Sequence, residues 1–256
     1  ASKVCTGSLG HTIADYDTSL TAYQAGATHT THLYNAMPSL AHRAPGVIGA
    51  ASDTRATVEM ICDGFHIHPS VIRLTQKLFG DRLILISDSG RCTGMPDGDY
   101  TLGDQPITLK NGKACLKGTD TLACSSVHLM EAVRRSVKFG LRLEDAVYAA
   151  STAPAKVIHM EDSIGSLQVG HCADIVVLDM DLNVKMVFID GTGEYVIAPE
   201  IDYIDSHDYV FKHGVCCIAD RDGKQGLLSR EGKWVLPQEY SSIDYIEATD
   251  MFVPEK

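Results

Sequence analysis

Residues 1–90 alternate between short strand-like and helix-like runs, and this alternation is the strongest constraint on the fold. The run at 83–87 is almost continuously apolar, as expected of a strand covered on both faces. The helix-like runs end at Gly26 and Gly80, which suit helix C-termini. Strands that alternate with helices pair in parallel. The pattern predicts about four βα-type units of a parallel sheet or barrel, with strands within 3–10, 28–35, 57–64 and 81–90 and helices within 15–26 and 68–80.

The segment at 94–121 is rich in turn residues, and its Asn111-Gly112 pair lies between alternating residues, which indicates a β-hairpin. Helices are predicted over 125–140, where apolar residues recur at helical spacing, and over 142–158.

Two short strands joined by a turn are predicted within 170–191. From about residue 200 the chain consists of short β runs punctuated by turn residues, with no helical periodicity. This last stretch is predicted to be a separate all-β appendage.

Composition excludes several classes of protein. The formal net charge of −11 argues against a nucleic-acid partner, because phosphate binding needs a surplus of Lys and Arg. No apolar run is long enough to span a membrane, and no secretory signal is visible. The eight cysteines form no CxxC pair, which favours buried thiols over a disulfide framework. We therefore expect a cytoplasmic protein with neither a membrane nor a nucleic-acid partner.

Polar residues follow the predicted strands, where parallel α/β proteins place their functional groups. These residues are His11, His32, the segment 63–66 and Asp88. Singly, such a histidine is more often structural, and Asp88 equally suits a helix N-cap. Together, two imidazoles suit a divalent metal such as zinc, and a carboxylate can act as the base. His29, on the predicted strand and pointing to the face opposite His32, is expected to be structural.

The loop after His32 adds candidates for substrate recognition. Asn35 offers an amide, and Arg43 carries a planar fork of donors that suits phosphate or carboxylate.

The chain resembles the N-acetylglucosamine-6-phosphate deacetylases of the amidohydrolase superfamily in several stretches: "THLYNAMP" with "HRAPG", "DGFHIHP", "SDSGRCTGMPDGDYTLG", "GTDTLACSS" and "VGHCADIVVLD". The resemblance runs from about residue 5 to 191. It implies the C-terminal half of a (β/α)8 TIM-type barrel with part of a small β domain. The predicted domains are 1–162 for the partial barrel, 163–198 for the small β domain and 199–256 for the β tail.

The resemblance also implies a reaction and a set of site residues. A divalent metal, zinc or iron, would support hydrolysis of the N-acetyl amide of N-acetylglucosamine 6-phosphate to acetate and glucosamine 6-phosphate. His11 and His32 would be metal ligands, Asp88 the catalytic acid/base, and Arg43 with His66 the phosphate contacts. A homodimer is implied, because the family shares its phosphate pocket between subunits. The other implied substrate-binding residues are Asn35, Ala36, Asp63, Gly64, Phe65, Leu122, Ala123 and Cys124.

The chain departs from the family pattern in three ways. The family's third protein ligand, a Glu on an earlier strand, is absent together with the first barrel strands. Cys124 stands where Gly is expected, and the tail resembles a WG-type β repeat. Four strands cannot close an eight-stranded barrel, so strand edges and half of the inner face would be exposed. The sequence is then either a fragment or a truncated product whose remaining half packs differently.

Three functions remain open from the sequence. The first is the metal-dependent deacetylase. The second is a non-catalytic sugar-phosphate-binding or interaction protein derived from it, which the WG-like tail slightly favours. The third is an amidohydrolase acting on another substrate such as a cyclic amide, which the Arg43 and His66 phosphate pair argues against.

Overall fold

The computed structural model describes residues 5–189, 215–219, 224–229, 234–246 and 251–255. The chain divides into two compact units, Ala1–Ser166 and Leu167–Lys256.

A four-stranded parallel sheet organises the first unit. Its strands lie in sequence order, so each pairs with the next along the chain. This confirms the predicted parallel pairing. The strands are β1 (Gly7–Leu9), β2 (Ala27–Thr30), β3 (Thr57–Ile61) and β4 (Leu83–Ile86).

Helices connect these strands, as in βα units. They are α1 (Tyr16–Gln24), α2 (Gly46–Asp53) and α3 (Pro69–Phe79), and a 3-10 turn follows at Gly80–Arg82. Helix α1 begins where the Asp15 side chain accepts a hydrogen bond from the Thr18 N–H at 2.9 Å. Helix α2 was not predicted, because two glycines and two β-branched residues among its eight positions weaken the helical signal.

The main core lies between the sheet and these helices. Val58 and Met60 of β3 and Leu83 and Leu85 of β4 are fully or almost fully buried against helical side chains. The residues between them, such as Glu59 and Ile84, therefore point to the other face of the sheet, since side chains alternate along a strand.

A second, antiparallel sheet follows β4. Its strands are β5 (Gly98–Leu102), β6 (Gln105–Lys110), β7 (Lys113–Leu116) and β8 (Leu122–Cys124), paired in order. Asn111 and Gly112 join β6 to β7 with φ of 51° and 74°. Positive φ at both residues matches the two-residue hairpin turn that the sequence predicted.

Three helices complete the first unit: α4 (Leu129–Lys138), α5 (Leu143–Ala150) and α6 (Thr152–Val157). The single helix predicted over 142–158 is wrong, because the chain breaks at Ser151 with φ −132° and ψ −68°. Pro154 explains the break: it has no N–H to donate to the Ala150 carbonyl, and its ring would clash with that carbonyl. Proline is tolerated in the first turn of α6 instead.

The second unit consists of short antiparallel strands where it is described. The predicted strand pair within 170–191 is confirmed as β9 (Ile175–Leu178) with β10 (Val184–Phe188). The later strands are β11 (Val215–Ala219), β12 (Gln225–Ser229), β13 (Trp234–Tyr240), β14 (Ser242–Ile246) and β15 (Met251–Glu255).

Two predictions about this unit are not tested. The predicted boundary at 198/199 and the predicted turns near 221–223 and 230–233 lie outside the described residues. The WG-type repeat also stays a prediction. Among the described residues, no helix combines the length and the hydropathy needed to cross a membrane.

Candidate active site

Polar residues occur at the same offset after each strand of the parallel sheet. His11, His32, Asp63 and Asp88 are each the second residue past the end of β1, β2, β3 and β4. Because neighbouring parallel strands end at one edge, these four positions lie along the carboxyl edge of the sheet. This is the placement that the sequence predicted.

Three of these residues have an unusual backbone. His11, His32 and Asp88 have φ of 42°, 27° and 49°, in the left-handed region that residues other than glycine rarely adopt. Such strain persists where the surrounding structure enforces it, and it concentrates at functional sites. It makes this edge of the sheet the candidate active site.

The two predicted metal ligands are neighbours. The ring centroids of His11 and His32 are 4.7 Å apart, and their planes are inclined at 73°. His32 is buried, and its Nδ1 has no hydrogen-bond partner. A buried polar atom without a partner costs free energy, and a bound cation would remove that cost. The imidazole donors therefore fit zinc or a similar divalent metal.

Glu59 holds the backbone of His32. Its Oε2 accepts a hydrogen bond from the His32 N–H at 3.2 Å, and its Oε1 lies 2.9 Å from His29 Nε2. His29 Nδ1 in turn lies 2.7 Å from Thr57 Oγ1. Burial acts to raise the pKa of Glu59, but the contacts with His29 and the His32 N–H outweigh it and lower that pKa.

Sequence reasoning missed Glu59, although a signal was present. In "TVEMI" the alternation places Glu59 on the face opposite Val58 and Met60, inside a strand whose neighbours are apolar. A carboxylate at such a position needs buried partners. His29 has hydrogen-bonding partners and is not packed only among apolar side chains. Strand alternation cannot assign His32 to the face opposite His29, because β2 ends at Thr30.

The loop after His32 is fixed by its own backbone contacts. The Asn35 side-chain amide donates to the carbonyls of His32 and Leu33 at 3.2 and 3.3 Å. The Ala36 carbonyl accepts from the Thr12 N–H at 3.0 Å, which joins this loop to the residue after His11.

The loop after β3 is organised by Asp63. Its Oδ1 accepts from the N–H groups of Phe65 and His66, both at 2.9 Å, and its Oδ2 lies 2.6 Å from His66 Nδ1. Burial acts to raise the pKa of Asp63, but the bonds from His66 and Phe65 lower it overall. Gly64 has φ of 79° beside the Phe139 ring, a conformation that glycine suits.

Arg43 and His66 have separate partners in the structure. Arg43 Nη1 lies 2.6 Å from His42 Nε2, while His66 Nδ1 contacts Asp63. Their predicted joint contact with a phosphate stays a prediction.

Asp88 lies beside the predicted substrate-lining segment Leu122, Ala123 and Cys124, which forms β8. The Asp88 carbonyl accepts from the Ser125 N–H at 2.8 Å, and the Gly90 N–H donates to the Ser125 carbonyl at 3.0 Å. These bonds place β8 directly next to the end of β4.

A cavity of about 340 Å³ opens on the face of the sheet that carries Glu59 and Ile84, and its lining includes Asp88 and His29. Side chains from α4 to α6 form its apolar wall: Leu129, Ala150, Pro154, Val157 and Ile158. These helices thus lie against part of the inner face, which four strands alone would leave exposed.

The backbone strain at His11 predicts an order of stability for two variants. His11→Gly should be more stable than His11→Ala by about 1 kcal/mol, because alanine retains the unfavourable positive φ and glycine does not. Urea unfolding of the metal-free variants measures the difference. His11→Ala as the more stable variant would contradict a left-handed backbone at this position.

A family model described as "Amidohydrolase family" matches residues 2–193, and the chain belongs to this family. The N-acetylglucosamine-6-phosphate deacetylase of Vibrio furnissii is 38% identical over 185 residues, which are 72% of this chain and 46% of that protein. The N-acetylgalactosamine-6-phosphate deacetylase of Escherichia coli O157:H7 is 37% identical over 72% of this chain and 49% of its own length. The chain thus spans about half the length of these curated relatives, and the resemblance seen in its motifs is confirmed.

Solved structures of deacetylases from the same family are similar to this chain. The N-acetylglucosamine-6-phosphate deacetylase of Pasteurella multocida superposes with a TM-score of 0.70 at 31% identity, over 73% of this chain and 49% of that one. The enzyme from Mycobacterium smegmatis gives 0.69 at 40% identity, over 73% and 50%. A mutant of the latter has been solved in complex with N-acetyl-D-glucosamine-6-phosphate. The chain therefore has an α/β amidohydrolase fold similar to the half of these deacetylases that it covers, with additional β-sheets.

Proposed function

We propose that the chain carries the catalytic edge of a metal-dependent deacetylase that hydrolyses N-acetylglucosamine 6-phosphate to glucosamine 6-phosphate and acetate. The observation that carries this proposal is the His11–His32 pair, with the unpartnered Nδ1 of buried His32, on the same sheet edge as Asp88. The relatives named for this reaction support it.

His11 and His32 would hold the metal, for which zinc and iron are the candidates. When bound, such an ion lowers the pKa of water and polarises a carbonyl group. Within the described residues, no group of three or more His, Cys, Asp or Glu side chains is arranged to hold a metal. Two protein ligands leave the other coordination positions to water, substrate or a further polypeptide segment.

Asp88 would move the proton. Its carboxylate accepts a proton from the attacking water and then donates it to the amide nitrogen as the C–N bond breaks, so that the amine leaves neutral. The left-handed backbone at Asp88 and the hydrogen bond from the Ser125 N–H to its carbonyl fix the position of the Asp88 backbone, from which the side chain extends. Glu59 would contribute by holding the His32 backbone.

The remaining predicted residues would bind the substrate. Arg43 and His66 suit the phosphate, because a guanidinium and an imidazole both donate hydrogen bonds to anionic oxygens. The sugar would contact Asn35, Ala36, the loop of Asp63, Gly64 and Phe65, and the strand formed by Leu122, Ala123 and Cys124. The half-barrel architecture, the homodimer and the cytoplasmic location belong to this proposal as well.

Acetate release tests the proposal directly. Purified chain is loaded with zinc or iron(II) and incubated with N-acetylglucosamine 6-phosphate, with the galactosamine epimer as a second substrate. Metal content after dialysis is measured on the same samples. We expect about one equivalent of metal, on the basis of a single two-histidine site, and acetate release from the glucosamine compound.

A matched pair of histidine variants identifies the ligand. His32→Ala should lose the metal, whereas His159→Asn, which changes an exposed histidine that also has positive φ, should keep it. Metal binding without acetate release from either sugar would overturn the catalytic proposal in favour of the non-catalytic binding protein. Equal metal content in both variants would overturn the assignment of His32.

A further inference from the structure

Two buried cysteines lie at the edge of the candidate site and take no part in metal binding or proton transfer, although Cys124 is a proposed sugar contact. Cys92 follows Asp88 by four residues, and Cys124 ends β8. Both are free thiols and both are buried. Both sulfurs lie within 4 Å of the position that a Cβ on Gly90 would take, so the two side chains are neighbours.

The backbone holds the two cysteines in this arrangement. The Gly90 N–H donates to the Ser125 carbonyl at 3.0 Å, and the Thr93 hydroxyl donates to the same carbonyl at 3.3 Å. The segment that carries Cys92 is therefore bonded, at residues on both sides of this cysteine, to Ser125, the residue after Cys124.

Gly90 makes room for the pair. The Cys124 sulfur occupies the space that a Cβ on residue 90 would need, and the Cys92 sulfur lies 3.8 Å from that same position. Both sulfurs thus lie over one glycine, at the point where the chain leaves the Asp88 turn.

The contact shifts the pKa values of the two thiols in opposite directions. The hydrogen bond with Cys124 lowers the pKa of Cys92 to about 7, and the same bond raises the pKa of Cys124. Elsewhere in the first unit, burial raises the pKa of Cys62 to about 12. Since the thiolate is the reactive form, the lower pKa favours Cys92 over Cys124 and Cys62 as the nucleophile.

We propose that Cys92 and Cys124 are a redox-active dithiol that a small peroxide converts to a reversible disulfide, joining the segment after Asp88 to β8. The family resemblance predicts a glycine at position 124, where this chain has a cysteine, so the resemblance does not account for the pair. The dithiol does not depend on the proposed deacetylase reaction.

The chemistry balances with hydrogen peroxide as the oxidant. The Cys92 thiolate attacks one peroxide oxygen, the O–O bond breaks, and the departing hydroxide takes up a proton to become water. The Cys124 sulfur then attacks the sulfenic sulfur of Cys92, the S–O bond breaks, and the leaving hydroxide combines with the Cys124 proton. Two thiols are oxidised and one peroxide is reduced to two waters. A low-molecular-weight dithiol reverses the bond by exchange.

Peptide mapping tests the bond on the whole chain. The reduced chain is treated with hydrogen peroxide, free thiols are alkylated, and the protein is digested with trypsin without reductant. Cleavage after Arg91, Lys110, Lys113, Lys117 and Arg134 places Cys92, Cys115 and Cys124 on separate peptides, 92–110, 114–117 and 118–134. We expect a species that joins 92–110 to 118–134 and disappears with dithiothreitol.

Variants supply the controls. Cys115→Ser should keep the linked species, whereas Cys124→Ser should abolish it and leave Cys92 as a sulfenic acid that dimedone traps. The cross-linked chain should also melt higher, by roughly 5–10 °C, because the bond restricts the unfolded chain. Alkylation of both cysteines after peroxide, or a link made through Cys115, would overturn the proposal. Acetate release is a separate measurement, so failure of the deacetylase and failure of the dithiol are distinguishable.

Discussion

Asp88→Asn should lower the rate of acetate release about 10³-fold, the size of a lost general acid/base. This corresponds to about 4 kcal/mol of activation free energy. Asparagine has the size and shape of aspartate, but its amide cannot accept a proton from water or deliver one to the leaving nitrogen. The measurement is the turnover of N-acetylglucosamine 6-phosphate by the metal-loaded variant against the unmodified chain.

Two readouts separate proton transfer from structural damage. Asp104→Asn, at an exposed turn between β5 and β6, should leave the rate unchanged. Metal content should be equal in the Asp88 and Asp104 variants, because the proposed ligands are His11 and His32. Loss of metal together with activity in Asp88→Asn would show that Asp88 is a ligand. A rate within threefold of the unmodified chain would exclude it as the proton carrier.

The fold could largely be predicted because its signals are local. Apolar runs, glycine stops and the Asn111-Gly112 turn each act over a few residues, and the strands and most helices followed them. The exceptions have equally local causes. Two glycines and two β-branched residues weaken the helical signal of α2. Pro154 divides the segment 142–158, which otherwise has a single helical pattern.

The candidate site was predictable in its strand-end positions but not in its contacts. His11, His32, Asp63 and Asp88 could be found because polar residues after parallel strands meet at one edge. Contacts between residues far apart in the chain leave no such pattern. Glu59 on His32 is one example, at a separation of 27 residues.

The Cys92–Cys124 pair is the second example. Nothing in the spacing of the eight cysteines distinguishes these two. Their contact depends on the pairing of the segment after β4 with the end of β8, and on the missing Cβ of Gly90. Both conditions are set by tertiary structure.

Asp63→Ala should lower the free energy of unfolding by about 3 kcal/mol at pH 7, because it leaves three partly buried donors without an acceptor. These are the N–H groups of Phe65 and His66 and the ring of His66. Asp63→Asn should cost less, since its remaining carbonyl oxygen can still accept from the two backbone N–H groups. Urea unfolding of the three proteins gives the order.

The same carboxylate predicts the pH dependence of the difference. The pKa of Asp63 is lower in the folded than in the unfolded chain, so its stabilisation is complete above the unfolded value of about 3.9 and is lost as pH falls through the folded value. The gap between the unmodified chain and Asp63→Ala should therefore be constant from pH 7 to 5 and shrink in more acidic solution. The pH dependence of Glu59→Gln provides a comparison, because the pKa of Glu59 is also lowered. The Glu59 carboxylate contacts His29 and the His32 N–H, which lie outside the Asp63 loop. A gap that stays constant into acid would mean that Asp63 acts through its shape and packing, with no contribution from its charge.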